Sequence, residues 1–340
     1  MEPAHDGTGV NESLRELIDR MIGWHDAGRR GVMCAVVGAR GSTPQNAGAV
    51  MLVDETATTH GTIGGGCVEA EVRRAAHRLL AEHRLGVMTF KLDHDYGWDD
   101  GLICGGTIHV AVAAIPDRAT LQRVREAINR RESTVLPIET ANESGEAARY
   151  QLRLPPRDRL YIAGAGHVGQ ALARLAGPLD FDVHLFDDRE DLLEQFAPAS
   201  VTCVAGDMVE QLAAHPIDAG TFCVIVTRGH RHDEQALHAV LGRGAGYVGM
   251  IGSRRKVKLI FDDLRAVGVA NETLQQVHAP IGVPIEAVTV EEIALSIAAQ
   301  LVQVRRAERR AVIEGPMSEP AEHDADCAGA VSSAALRTAE

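Results

Sequence analysis

The chain has 340 residues, 45% of them hydrophobic, and a formal net charge of −13. That length allows two domains, each with its own core. No uncharged apolar run approaches the roughly eighteen residues of a membrane helix, and an acidic chain repels phosphate backbones, so neither membrane insertion nor nucleic-acid binding is expected. The opening stretch Met1-Glu2-Pro3-Ala4-His5-Asp6 has no basic or apolar signal region, which makes the cytoplasm the expected compartment.

A helix is expected over residues 11–27, because Leu14, Leu17, Ile18, Met21 and Ile22 share one face and Asn11 offers an N-cap. Strands follow at 32–37 and 49–53, separated by the polar loop Arg40-Gly41-Ser42-Thr43-Pro44-Gln45. Gly64-Gly65-Gly66 runs into a helical pattern from Val68, and 87–92 alternates as a strand. After an acidic loop at 93–100 come Cys104-Gly105-Gly106, a strand at 107–113 and a helix at 121–130. This predicts a mixed α/β domain over 1–130. Residues 131–158 read as an irregular connector with room for a hairpin, interrupted by Pro155-Pro156.

From residue 159 strands and helices alternate with βαβ spacing to a long closing helix at 290–310. The pattern predicts a doubly wound, mostly parallel sheet over 159–312. Residues 313–340 read as an acidic, disordered tail. The overall expectation is an α/β protein: an N-terminal mixed α/β domain followed by a Rossmann-type domain.

Gly164-Ala165-Gly166-His167-Val168-Gly169 follows a strand and opens a helix. In that context Gly164 permits a tight turn, Gly166 a close approach to a pyrophosphate, and Gly169 close helix–strand packing. Asp187 ends the next strand, where an acid can hold ribose hydroxyls, making NAD a possible ligand and disfavouring NADP. His230, His232 and Asp233 follow the fourth strand, at the sheet edge where ligands bind, although Asp233 could equally cap the next helix.

The cysteines are Cys34, Cys67, Cys104, Cys203, Cys223 and Cys327, with no C-x-x-C pair, so neither disulfides nor a structural zinc are expected. Cys34, Cys203 and Cys223 sit in apolar runs and read as core residues. Cys67 lies at a helix start after three glycines, and Cys104 precedes Gly105-Gly106. Each can be inert packing, but two thiols in two glycine turns of one domain form a candidate functional pair.

Together these motifs resemble the XdhC/CoxI family, the xanthine dehydrogenase accessory factors. The resemblance rests on Arg40–Pro44 with Gly48–Val53, Gly61–Glu69, Gly101–Gly106, Gly164–Gly169, Gly229–Asp233, Tyr247–Lys256 and Glu291–Ala299. It implies an accessory role rather than metabolic turnover: binding molybdenum cofactor, helping its sulfuration with a cysteine desulfurase, and inserting it into a molybdenum hydroxylase of the xanthine dehydrogenase type. On that reading Cys67 or Cys104 contacts molybdenum or carries sulfur. Three places depart from the family pattern: Gln45 for Arg, Gly282-Val283-Pro284-Ile285-Glu286 for Gly-Leu-Asp-Ile-Gly, and Gln300 for Glu. The alternatives are an NAD-dependent oxidoreductase using His230 or His232 as acid–base group, and a nucleotide-sensing scaffold. A homodimer is possible on general grounds alone.

Overall fold

The computed structural model describes residues 12–91, 106–142, 145–196, 198–308 and 312–316. Its first helix, α1 (Leu14–Ala27), starts at Ser13. The Ser13 hydroxyl accepts the Glu16 N–H, and the Glu16 carboxylate accepts the Ser13 N–H. This reciprocal cap satisfies two helix-end donors at once and sets the start two residues beyond Asn11, which lies outside the described residues.

The N-terminal sheet consists of β1 (Gly31–Arg40), β2 (Val50–Asp54), β3 (Thr59–Gly61), β4 (Gly86–Lys91) and β5 (Thr107–Ala114), with α2 (Gly66–Ala81) between β3 and β4. Its antiparallel order is β3-β2-β1-β5-β4. Alternate residues of β1 feed opposite cores. Met33, Ala35 and Val37 meet α1 and α3 (Arg118–Asn129), while Val32, Cys34 and Val36 meet Val68, Val72 and Ala76 of α2.

Where the sequence suggests an irregular connector, β6 (Thr134–Ala141) and β7 (Ala147–Leu154) form an eight-residue-per-strand hairpin. Along β7 every second residue is buried: Ala148, Tyr150, Leu152 and Leu154. These side chains join the α1–α3 core, so the hairpin belongs to the N-terminal unit.

The second half contains β8 (Arg159–Ala163), α4 (His167–Ala176), β9 (Asp182–Asp187), α5 (Glu190–Phe196), β10 (Val201–Ala205) and α6 (Met208–Ala214). Then follow β11 (Thr221–Ile225), α7 (His230–Val240), β12 (Tyr247–Met250), α8 (Arg254–Ala266), α9 (Asn271–Gln275) and α10 (Val290–Glu308). The sheet is parallel with order β10-β9-β8-β11-β12, so the winding direction reverses between β8 and β11. Helices α4, α5 and α10 cover one face, and α6, α7 and α8 the other. This is the doubly wound Rossmann arrangement. The departure at Gln300 is structural: its side-chain oxygen accepts from the Tyr247 hydroxyl (2.6 Å) and the Gly282 N–H (2.8 Å).

A last strand, β13 (Val312–Glu314), pairs with β7 and buries Ile313. The chain thus returns to the N-terminal unit at a point the sequence assigns to the start of a tail; residues 317–340 lie outside the described residues. Contacts joining the two halves gather at the amino edge of the parallel sheet. Arg131 donates to Asp218 (3.0 Å) and to the Gly220 carbonyl (3.2 Å), and Arg157 donates to the Phe181 carbonyl (2.7 Å).

Cys34 and Cys223 are fully buried, and burial pushes both thiols up to about 12. Cys203 is half-buried, its thiol raised for the same reason. No helix among the described residues is long and apolar enough to cross a membrane.

Candidate functional site

The carboxyl edge of the parallel sheet carries the main constellation. Gly164 leaves β8 with φ of 116°, and a Cβ there would lie 2.6 Å from the Val226 carbonyl oxygen at the end of β11. A Cβ on Gly169 would strike the Gly164 carbonyl oxygen. Both glycines are therefore required by packing. Gly166 differs: its φ is ordinary, and nothing lies within 4 Å of where its Cβ would be. The loop thus keeps open space at the position where a ligand must come close to backbone.

Two helices begin at this edge without a side-chain cap. Gly166 precedes α4 and Gly229 precedes α7, and neither end has a capping side chain. By contrast Ser13, Asp117, Asp207 and Ser253 cap α1, α3, α6 and α8. The two bare N-termini follow β8 and β11, the strands that flank the reversal point. Unpaired N–H groups and the helix dipoles there favour an anion.

The acids that the sequence offers as ligand contacts at this edge brace the protein instead. Asp187 is 1% exposed, and both its oxygens are taken. It accepts from the Ala165 N–H (2.6 Å), the Arg189 N–H (3.0 Å), and Arg189 Nε and Nη2 (2.8 Å each). Burial opposes its charge, but the Arg189 guanidinium and these backbone donors outweigh that and hold the carboxyl down to about 2. No lone pair is left in good geometry for a ribose diol. The neighbouring Asp188 is paired with Arg228 at 2.7 Å.

Asp233 is fully buried. One oxygen accepts from the Thr227 hydroxyl (2.6 Å) and the Thr227 N–H (3.1 Å); the other meets Lys256 Nζ. It ties the β11–α7 loop to α8, which also gives the basic stretch Arg254-Arg255-Lys256 one buried task. The histidines behave differently again. His167, at the first position of α4, is exposed, and His232 is half-buried. His230 lies 3.1 Å from Asp263 of α8. Sequence reading missed Arg189, Lys256, Glu234 and Asp263 as partners. Arg189 stands two residues from its acid, a legible spacing, but Lys256 and Asp263 reach their partners only through the packing of α7 on α8. His230, Glu234 and Asp263 place one ligand atom each within 4.8 Å of one another, a loose, largely exposed group.

The second constellation is at one end of the N-terminal sheet. Gly64, Gly65 and Gly66 all have positive φ (124°, 71° and 62°), which reserves the turn for glycine. Gly64 abuts Pro44, and a Cβ on Gly106 would lie 2.6 Å from the Arg40 carbonyl oxygen. Gly64 and Gly106 thus both pack against the loop that follows β1. Cys67 is the second residue of α2; Cys104 and Gly105 lie outside the described residues. Glu69 folds back over the turn and accepts from the Thr62 hydroxyl (2.7 Å), the Gly65 N–H (3.0 Å) and the Ile63 N–H (3.3 Å). An anion arriving at this turn therefore has to displace a carboxylate.

Two family models match in the order of these constellations: the XdhC and CoxI family over residues 24–91 and the XdhC Rossmann domain over residues 160–301. The chain belongs to the XdhC/CoxI family. It is 31% identical to the uncharacterized protein YqeB of Escherichia coli over 80% of its length, but spans only 43% of that relative. It is 25% identical to a probable xanthine dehydrogenase subunit of Bacillus subtilis, covering 81% of this chain and 93% of that one. It is 27% identical to the molybdenum cofactor insertion chaperone PaoD of Escherichia coli, covering 82% and 85%. A crystal structure of a xanthine dehydrogenase from Bacillus halodurans superposes with a TM-score of 0.77 at 24% identity, covering 88% of this chain and 97% of that one, and shares the fold.

Proposed function

We propose that this protein is an accessory factor that binds molybdenum cofactor and hands it to a molybdenum hydroxylase of the xanthine dehydrogenase type. The observation that carries the reading is the pair of bare helix N-termini at Gly166 and Gly229 beside open space. Molybdenum cofactor is a pterin dithiolene with a terminal phosphate, and such a seat suits the phosphate. The nearby acids do not repel it, because Arg189 and Lys256 neutralise Asp187 and Asp233. The family membership and the cofactor-insertion role of PaoD support the same reading. Holding the cofactor while a cysteine desulfurase sulfurates it belongs to this proposal, with Cys67 and Cys104 as the candidate thiols for metal or sulfur. The cytoplasm is the compartment that suits such a role.

The same geometry weighs against the NAD-dependent oxidoreductase. The acid at the end of β9 that would hold a ribose is consumed by Ala165 and Arg189.

The test is retention. Purified protein is loaded with free cofactor and desalted, and its molybdenum and pterin are measured, followed by activation of apo-hydroxylase. Retention near one cofactor per chain with faster activation supports the proposal. Gly166→Glu, which fills the open space with negative charge, should abolish retention without unfolding the domain. No retention by the unaltered protein, or full retention by Gly166→Glu, overturns it.

A further inference from the structure

Helices α7 and α8 carry a side-chain cluster that the phosphate seat does not use. His230 and Glu234 stand four residues apart on α7, so they share one face of that helix. Asp263 comes from α8. Buried Leu237 of α7 packs with Val257, Ile260 and Leu264 of α8, which fixes the two helices against each other. One ligand atom from each of the three residues lies within 4.8 Å of the other two, and His230 Nε2 is 3.1 Å from Asp263 Oδ2. Donors around a tetrahedral zinc stand roughly 3.3 Å apart, given bonds of about 2.0–2.1 Å. Side-chain rotation closes the difference, since His230 and Asp263 are exposed and Glu234 is half-buried.

The charges at this point do not balance. Lys256 answers Asp233 and Arg265 answers Asp262, the chain neighbours of Glu234 and Asp263. The Glu234 carboxylate has no hydrogen bond or ion pair with any described residue, and Asp263 has only His230. A hydrogen bond accounts for His230 beside Asp263. It does not account for a second carboxylate at the same point, which repels the first. A cation held by all three removes that repulsion.

We propose that His230, Glu234 and Asp263 bind one divalent cation of the zinc class. The imidazole nitrogen selects against magnesium and calcium, which take oxygen ligands. Binding through Nε2 leaves the ring proton on Nδ1. Three protein ligands leave at least one coordination position, which water or an anionic oxygen fills. The site follows Gly229 in the chain, yet it needs no molybdenum cofactor, and zinc alone tests it.

The full chain carrying Cys67→Ser, Cys104→Ser and Cys327→Ser is titrated with zinc chloride by calorimetry, so that these thiols do not compete. One zinc per chain should bind and raise the melting temperature. Magnesium in about hundredfold excess should not displace it. His230→Ala, Glu234→Gln and Asp263→Asn should each weaken binding at least about tenfold, the least that losing even an indirect partner of a metal ligand costs. His238→Ala, about two turns further along α7, should leave binding unchanged. Circular dichroism checks that each variant is folded. Binding no tighter than in the chain carrying all three ligand substitutions, a loss confined to His230→Ala, equal weakening by His238→Ala, or displacement by magnesium would overturn the proposal.

Discussion

Asp187→Asn tests the brace at the glycine loop most sharply. An ordinary aspartate titrates near 3.8, and this one is held at about 2 in the folded chain. The difference corresponds to about 2.5 kcal/mol of native-state stability at neutral pH. The amide keeps one acceptor but turns an NH2 group towards donors on Ala165 and Arg189, and it leaves the Arg189 guanidinium uncompensated. A loss of about 2–3 kcal/mol is therefore expected in urea unfolding followed by circular dichroism at pH 7, with faster amide exchange across residues 164–168. The pH dependence has a defined sign. Because the folded pKa is depressed, the stabilisation is complete above about pH 5 and drains as pH falls towards 2. By pH 3 the gap between wild type and variant should have shrunk by about 1 kcal/mol. A loss below about 0.5 kcal/mol at pH 7, or a gap that does not narrow on acidification, would refute the charge-based account.

Other perturbations probe neighbouring features. Gly169→Ala drives a methyl into the Gly164 carbonyl and should destabilise the Rossmann unit by about 2–3 kcal/mol, whereas Gly166→Ala should melt within a degree or two of wild type. Lys256→Met strands the Asp233 carboxylate in full burial. It should cost about 3 kcal/mol in thermal or urea unfolding, and adding Asp233→Asn should recover part of that. In native protein at pH 8, Cys34 and Cys223 should resist a thiol reagent that labels them readily in urea, since burial holds both near 12; mass mapping of the labelled peptides reads this directly.

The Rossmann half was legible because its signals are local: apolar strands, helical periodicity, and three glycines at fixed spacing whose separate demands the geometry reproduces. The hairpin was less legible. Its second strand alternates cleanly, but Pro137 in the first and the polar turn near Asn142 disguise the pairing, and proline in a strand weakens the usual signal. Strand β13 could not be read, because three residues carry little pattern and their partner, β7, lies about 160 positions earlier. Within the site, the sequence places Asp187 and Asp233 at the carboxyl edge but does not show their tasks. Both acids end or follow strands at that edge, and only the locations of Arg189, Thr227 and Lys256 show that both are spent internally.

That short strand changes what kind of unit the Rossmann half is. Leu154 leaves β7 and Val312 enters β13, and Val312 sits opposite Arg153. The second half is therefore a loop insertion, entering and leaving the N-terminal unit through adjacent strands. A body held by one tether can swivel; a body held by two neighbouring tethers behaves like a door on its pins. It cannot spin about a single linker without breaking the β13–β7 pairing. For the carrier role proposed above, a cargo seated at the carboxyl edge would meet its recipient in a constant orientation. Deleting β13 would turn the door into a swivel while leaving every residue of the Rossmann crevice in place.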